Sequence, residues 1–245
     1  MFLRRIKKIL IILPTLNEVN NIKHLFNLLK KLKLNTKYLF IDHGSNDGTR
    51  EVISNIKKLN SKNVFVIQKE NREGIGKAHK DGLNWAYKKK FDLAITMDTD
   101  FAHHPKYIKK LLNKINKSNL VVGSRYLKKN SAPDWSLFRR FLSRGAHFMS
   151  FVFFGMNFDT TNSFRCYDLR SINKNFLKEC ISNDYDFFFT SLAIINLKKY
   201  KISQIPMDIR GRVEGNSKML LKHMIKSIFN MFLLFTKIRL GMIKS

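Results

Sequence analysis

Through the first half of the chain, short apolar runs alternate with longer stretches whose apolar residues recur every three or four positions. Residues 8–13, 38–41, 64–67 and 93–97 are compact and rich in Ile, Leu, Val and Phe, the signature of buried strands. Between the first two, residues 21–33 place Ile22, Leu25, Phe26, Leu29 and Leu32 on one helical face. Lys23, Lys30, Lys31 and Lys33 fall on the others. Repeated strand–helix alternation predicts an α/β fold, a doubly wound, mostly parallel sheet with helices on both faces.

The second half is less regular. A basic, aromatic stretch covers 135–154, the segment 158–167 follows, and a helix is expected over 185–197. Residues 217–237 also read as a helix, with Lys218, Lys222 and Lys226 spaced four apart and Leu221, Met224, Ile225, Ile228, Phe229 and Phe232 forming an apolar face. That pattern suits a helix lying in a membrane interface, and equally one docked on its own domain. The expected division is a catalytic domain over 1–215 and an amphipathic C-terminal tail over 216–245. Residues 1–13 resemble a signal peptide superficially, but the apolar run 9–13 is shorter than a signal core and a Pro-Thr-Leu-Asn-Glu sequence follows it, so a buried strand is expected. The uncharged stretch 145–158 falls short of the roughly 20 residues a spanning helix requires, so no transmembrane segment is expected.

Charge changes the picture more than size does. The 245 residues carry 46 Lys+Arg against 18 Asp+Glu, a formal net charge of +28, which attracts nucleic acid, anionic lipid or phosphorylated small molecules. Cys166 and Cys180 sit apart, with no CxxC or Cys/His cluster, which argues against a disulfide framework or zinc site and fits a reducing, cytoplasmic setting.

In open α/β sheets ligands bind beyond the carboxyl ends of the strands. Here those positions are polar: Pro14-Thr15-Leu16-Asn17-Glu18, then Asp42-His43-Gly44-Ser45-Asn46-Asp47-Gly48-Thr49, then Asp98-Thr99-Asp100. Residues two apart on an extended chain point the same way, so Asp98 and Asp100 can face one crevice. Paired carboxylates suit Mg²⁺ or Mn²⁺, which keep waters and share substrate phosphates.

These segments, together with Met97–Pro105 as a whole, Gly123-Ser124-Arg125-Tyr126, Ser143-Arg144-Gly145-Ala146 and Arg212-Val213-Glu214-Gly215-Asn216-Ser217-Lys218, resemble in order the motifs of the dolichol-phosphate mannosyltransferases, inverting family 2 glycosyltransferases of GT-A fold. The resemblance runs from about residue 8 into the early tail. It implies that Pro14, Leu16, Glu18, Ile41 and His43 line the nucleotide pocket, with Asp98, Thr99 and Asp100 at the metal and diphosphate. It places Arg125, Arg212 and Lys218 on phosphate oxygens, with Asp100 and Arg125 central to catalysis. Arg139 and Arg144 would grip the acceptor phosphate, in a segment whose aromatics sit at lipid headgroup level. Arginines interleaved with aromatics could also stack on nucleic-acid bases, but the acidic pair and the sheet argue against a nucleic-acid partner.

The implied reaction transfers a hexose, mannose from GDP-mannose first and a UDP-sugar second, onto a polyprenyl or dolichyl phosphate. A phosphate monoester is already a nucleophile near neutral pH, its second pKa being about 6, so no general base is needed and His103 and His104 are expected to be structural. The sequence departs from the family at His43, where an acid is usual, and at Leu16 for Tyr, Thr99 for Ala and Asn162 for Gly. Ala102 stands where some members carry Gln, leaving two protein ligands for the metal. The expected location is peripheral, on the cytoplasmic face of a membrane, where a spanning subunit could lend an anchor.

Overall fold

The computed structural model describes residues 7–133, 135, 137–180, 182–209 and 221–243, without the side chains of 138, 139 and 221–225. Strands β1 (Ile9–Thr15), β2 (Thr36–His43), β3 (Val64–Lys69) and β4 (Leu93–Thr96) alternate with helices α1 (Val19–Lys31), α2 (Thr49–Leu59) and α3 (Ile75–Lys88). After β4 come α4 (Ile108–Ile115), β5 (Leu120–Ser124), α5 (Leu137–Phe154) and β6 (Arg165–Asp168). The short α6 (Phe176–Glu179), α7 (Asp186–Leu197), β7 (Ile202–Pro206) and α8 (Leu221–Arg239) complete the order.

The strands form one seven-stranded sheet in the order β3-β2-β1-β4-β6-β5-β7. All neighbours are parallel except β6, which runs antiparallel to both β4 and β5. The central strands read as continuous apolar runs because both faces are covered. Side chains alternate across the pleat, so Ile11, Leu13 and Phe40 pack with Leu25, Phe26, Ile53 and Leu111 of α1, α2 and α4. Leu10, Ile12, Leu39 and Ile41 face the other way, onto Ala78 and Leu83 of α3 and Phe187 and Leu192 of α7.

The four expected strands and the helices at 21–33 and 185–197 are present within a few residues of their expected bounds. β1 and β2 each run two residues further, into Pro14-Thr15 and Asp42-His43, because their parallel ladder continues to the Thr15–Asp42 pair. The C-terminal helix is there as α8, and one of its faces docks on its own domain. Met231 and Leu234 are buried against Phe189 and Ala193, while Lys226 donates to Asp184 at 2.6 Å and Asn230 to Asp186 at 2.8 Å. Its opposite face leaves Ile228, Phe229, Phe232 and Leu233 exposed. No helix among the described residues is long and apolar enough to cross a membrane.

Candidate active site

Strand order sets the site out as a row of strand ends: the turn after β2, the segment after β1, the acidic pair after β4, the approach to β6 and the exit of β5. The first two are stitched together by side chains on backbone. Asn17 N–H donates to Ser45 Oγ and Glu18 N–H to Thr49 Oγ1, both at 2.9 Å, while Asn46 N–H donates to Asn17 Oδ1 at 3.0 Å. Gly44 adopts φ 84°, and a Cβ there would stand 3.0 Å from the Arg72 nitrogen, so the turn's polar residues pack here only because this position has no side chain. Asp42 is fully buried and anchored by Arg50 Nε at 2.8 Å. Glu18 is buried and accepts from Asn21 Nδ2 at 2.7 Å.

The acidic pair is joined to its neighbours on both sides. Thr99 Oγ1 donates to the Pro14 carbonyl at 3.2 Å. Ser163 Oγ, just before β6, lies 2.9 Å from each Asp98 carboxylate oxygen. Asp100 Oδ1 accepts from Ala102 N–H at 3.0 Å, and Phe101 between them takes φ 64°, a conformation that bulky residues avoid and that marks a constrained loop. His103 Nδ1 accepts from Asp98 N–H at 3.1 Å, and His104 Nδ1 accepts from Lys106 N–H at 3.1 Å, so both rings hold backbone. Two hard carboxylates with a serine and backbone around them fit a divalent ion that takes its other ligands from water and phosphate.

At the exit of β5, Arg125 is wedged between Tyr126 and Trp135, its guanidinium carbon 5.4 Å and 5.1 Å from their ring centroids. Asp159, with no exposed surface, accepts from Arg125 Nε at 2.8 Å and Nη2 at 2.6 Å, and from its backbone N–H at 2.9 Å. Burial alone would lower the arginine's pKa, but the Asp159 charge and hydrogen bonds outweigh it and raise it above its ordinary value. Nη2 also meets Thr161, whereas Nη1 makes no hydrogen bond among the described residues. Tyr126 stacks on His147 of α5 at 4.3 Å and bonds Ser143, which fixes α5 beside the row of strand ends.

The remaining expected residues are placed differently. Ile41 is fully buried beneath α3, and Leu16 is partly exposed at the rim. His43 is buried too, and neither ring nitrogen has a hydrogen-bond partner or accessible surface, so the ring is turned toward α3 and Asp81. Its pKa is lowered by burial, against the opposing pull of Asp81 and Glu73. Arg144 is exposed on α5. The Arg139 side chain, Arg212 and Lys218 lie outside the described residues.

Sequence reasoning missed Asp159, Ser163 and Arg165. Arg165 is entirely buried in β6 and donates to the carbonyls of Thr160, Asn162 and Phe188 and to Ser191 Oγ. Those bonds shape the 160–163 loop that presents Ser163 to Asp98. An arginine flanked by Phe164, Cys166 and Tyr167 was the available signal, since a charge buried there requires a dedicated set of acceptors.

Comparison with known proteins agrees with this geometry. The glycosyl transferase family 2 profile matches residues 10–181. The undecaprenyl-phosphate mannosyltransferase of Micrococcus luteus is 25% identical over 213 residues, 86% of this chain and 87% of that protein. The polyprenol monophosphomannose synthase of Mycolicibacterium smegmatis is 27% identical over 220 residues, 88% and 82% respectively. Among solved structures, glucosyl-3-phosphoglycerate synthase of Mycobacterium tuberculosis, in complex with Mn²⁺, UDP and phosphoglyceric acid, superposes with a TM-score of 0.68 at 17% identity. That alignment covers 94% of this chain and 78% of that one. A GT-A-like sheet with an acidic pair at its carboxyl edge, together with a family match over most of the sequence, makes this chain a glycosyltransferase that belongs to glycosyl transferase family 2.

Proposed function

We propose that the enzyme transfers mannose from GDP-mannose to a polyprenyl or dolichyl phosphate, working on the cytoplasmic face of a membrane. The lipid acceptor is supported by the names of the two sequence relatives and by one feature of the fold. Apart from Leu59 and Leu127, every exposed large hydrophobic side chain among the described residues lies on α5, α8 or the turn after α8. Phe141, Phe148 and Phe151 of α5 and Phe229 and Phe232 of α8 belong to this set, and Phe153 joins the helices by packing on Phe232 at 5.0 Å. Neither helix contains an acidic residue, while Arg139, Arg140 and Arg144 and Lys226, Lys237 and Arg239 lie along them. An aromatic face with cationic margins is complementary to an anionic bilayer surface. That apolar, acid-free pair of helices, tied by Tyr126 to the donor crevice, is the observation that carries the reading.

Asp98 and Asp100 would hold Mg²⁺ or Mn²⁺, which when bound neutralises charge on the departing diphosphate. Arg125 would offer Nη1 to the same oxygens, held in place by Asp159. Arg212 and Lys218 would add further cations from the segment before α8. Arg139 and Arg144 would bind the lipid phosphate, whose oxygen attacks the anomeric carbon in line as the diphosphate leaves. Chemistry here rests on positioning and charge, without a protein base. The domain limits of 1–215 and 216–245 belong to the same proposal, with the tail as part of the membrane face. Because His43 replaces the acid usual at this position of the family motif, UDP-sugars are the second donor class.

The test is transfer of labelled sugar from a panel of GDP- and UDP-sugars to a short polyprenyl phosphate, with Mg²⁺, Mn²⁺ or chelator. Chelator-sensitive product from GDP-mannose, lost in a folded Asp100→Ala variant, is the expected result. Product on a soluble sugar or protein acceptor, and none on the lipid phosphate, would overturn it.

A further inference from the structure

We propose a second cation site, made by His43, Glu73 and Asp81, that takes a borderline transition metal such as Zn²⁺ or Co²⁺ and is separate from the Asp98–Asp100 pair. One ligand atom from each of the three residues lies within 4.8 Å of the others, the one such group among the described residues. The site joins the last residue of β2, the residue before the Gly74 that opens α3, and the second turn of α3. It therefore clamps the wall behind the donor crevice rather than the crevice floor.

Unsatisfied atoms carry the argument. The His43 side chain is only 4% exposed, and both of its ring nitrogens are buried without a partner. Asp81 Oδ2 is buried and unpartnered as well, and it lies 3.5 Å from His43 Nε2, beyond hydrogen-bond range. In the tautomer that keeps the proton on Nδ1, His43 Nε2 and Asp81 Oδ2 are two buried acceptors facing each other; each left unmade costs about 1–3 kcal/mol, so they call for a shared partner. An ion about 2.0–2.1 Å from each would subtend an angle of roughly 115° between them, close to the tetrahedral value that zinc prefers. Imidazole with two carboxylates selects Zn²⁺ or Co²⁺ over the Mg²⁺ that all-oxygen sites favour.

Two lysines occupy the rim. Lys77 bonds Asp81 Oδ1 and stands 3.8 Å from Glu73 Oε2, and Lys69 stands 3.4 Å from Glu73 Oε1. These contacts leave Asp81 Oδ2 and His43 Nε2 uncommitted, and they make Lys77 a competitor for the incoming ion. Removing that ammonium should strengthen metal binding, an effect opposite to the loss that follows from removing a ligand.

Co²⁺ titration of the metal-free full-length protein, followed by its visible ligand-field absorption, tests this. The Asp100→Ala variant should keep the intense absorption of a four-coordinate ion. His43→Gln should abolish it and weaken binding by more than about 100-fold, beyond the loss caused by removing an outer-shell partner. Lys77→Met, which leaves the ligands intact, should bind more tightly than the wild type. A folded His43→Gln variant with an unchanged titration, or a wild type whose saturable binding disappears entirely in Asp100→Ala, would overturn the site.

Discussion

Replacing Asp159 by leucine should cost this enzyme about 3–5 kcal/mol, because it strands a largely buried guanidinium without its counter-charge. Arg125 is 10% exposed and Asp159 not at all, and two side-chain bonds of 2.8 Å and 2.6 Å join them. The carboxylate also accepts the Arg125 backbone N–H, so its loss leaves one buried donor as well as a bare charge. For a chain of 245 residues, a loss of that size lowers Tm by on the order of 10 °C. The double variant Arg125→Met, Asp159→Leu removes both charges and keeps a flexible side chain against Tyr126 and Trp135. Replacing a buried pair by apolar residues is often neutral or stabilising, so the double variant should return to within about 2 kcal/mol of the wild type.

Urea unfolding of the four proteins of the cycle gives these energies, and titration with nucleoside diphosphate separates fold from function. If Arg125 also reaches the donor phosphates, the stable double variant should bind GDP about 10- to 100-fold more weakly, the worth of one or two charged hydrogen bonds. An Asp159→Leu variant less than about 1 kcal/mol below the wild type would refute the desolvated pair. Failure of the double variant to recover would show that the loss comes from shape rather than charge.

Three further outcomes follow from the packing. His79 is fully buried, and burial, with smaller contributions from Arg165 and His103, lowers its pKa from 6.5 to about 3. The unfolded chain therefore takes up a proton that the folded one refuses, so this contribution is complete above pH 6.5 and declines by about 1.4 kcal/mol per unit below it. His79→Leu should accordingly gain on the wild type as pH falls from about 6.5 to 4 in thermal unfolding, and parallel curves would refute the assignment. Gly76→Ala gains up to about 1 kcal/mol of helix propensity but loses more, since its Cβ would stand 2.5 Å from the Asp184 carbonyl and 2.6 Å from Phe187 Cβ. A net loss in urea unfolding is expected. Phe148→Ser with Phe229→Ser should abolish flotation with anionic vesicles while leaving nucleotide binding and Tm unchanged, because both rings are exposed.

Legibility in the sequence followed how many faces of an element the core claims. β1, β2 and β4 are buried on both faces, so composition alone marked them, and the loops beyond their carboxyl ends could be read as one site. β5 is buried throughout but offers only the short apolar run Leu-Val-Val, and β6 and β7 gave no such signal. β6 is four residues long with a buried arginine at its head, and β7 is an edge strand of Ile-Ser-Gln-Ile-Pro with one buried residue. The pairing of Asp98 with Ser163 and of Arg125 with Asp159 depends on those strands, which is why half of the candidate site was invisible until the antiparallel insertion of β6 was known.

The least legible element is the most informative. α5 spans eighteen residues, with Phe153 and Phe154 packed on α8 while Phe141, Phe148 and Phe151 point to solvent. Taken alone, 135–154 reads as an irregular basic aromatic stretch, because Gly145 stands at its middle and its aromatic and β-branched residues favour strands. Large apolar side chains left exposed together on a surface helix mark an interaction face, and α5 carries three such phenylalanines. Under the proposed function, that face is the one that meets lipid. On α8 the buried face made the fold legible, and the exposed face belongs to the same proposed surface. If vesicle binding depended only on the lysines and not on these aromatics, salt would abolish it completely; an apolar contribution instead leaves a residue of binding that persists at high ionic strength.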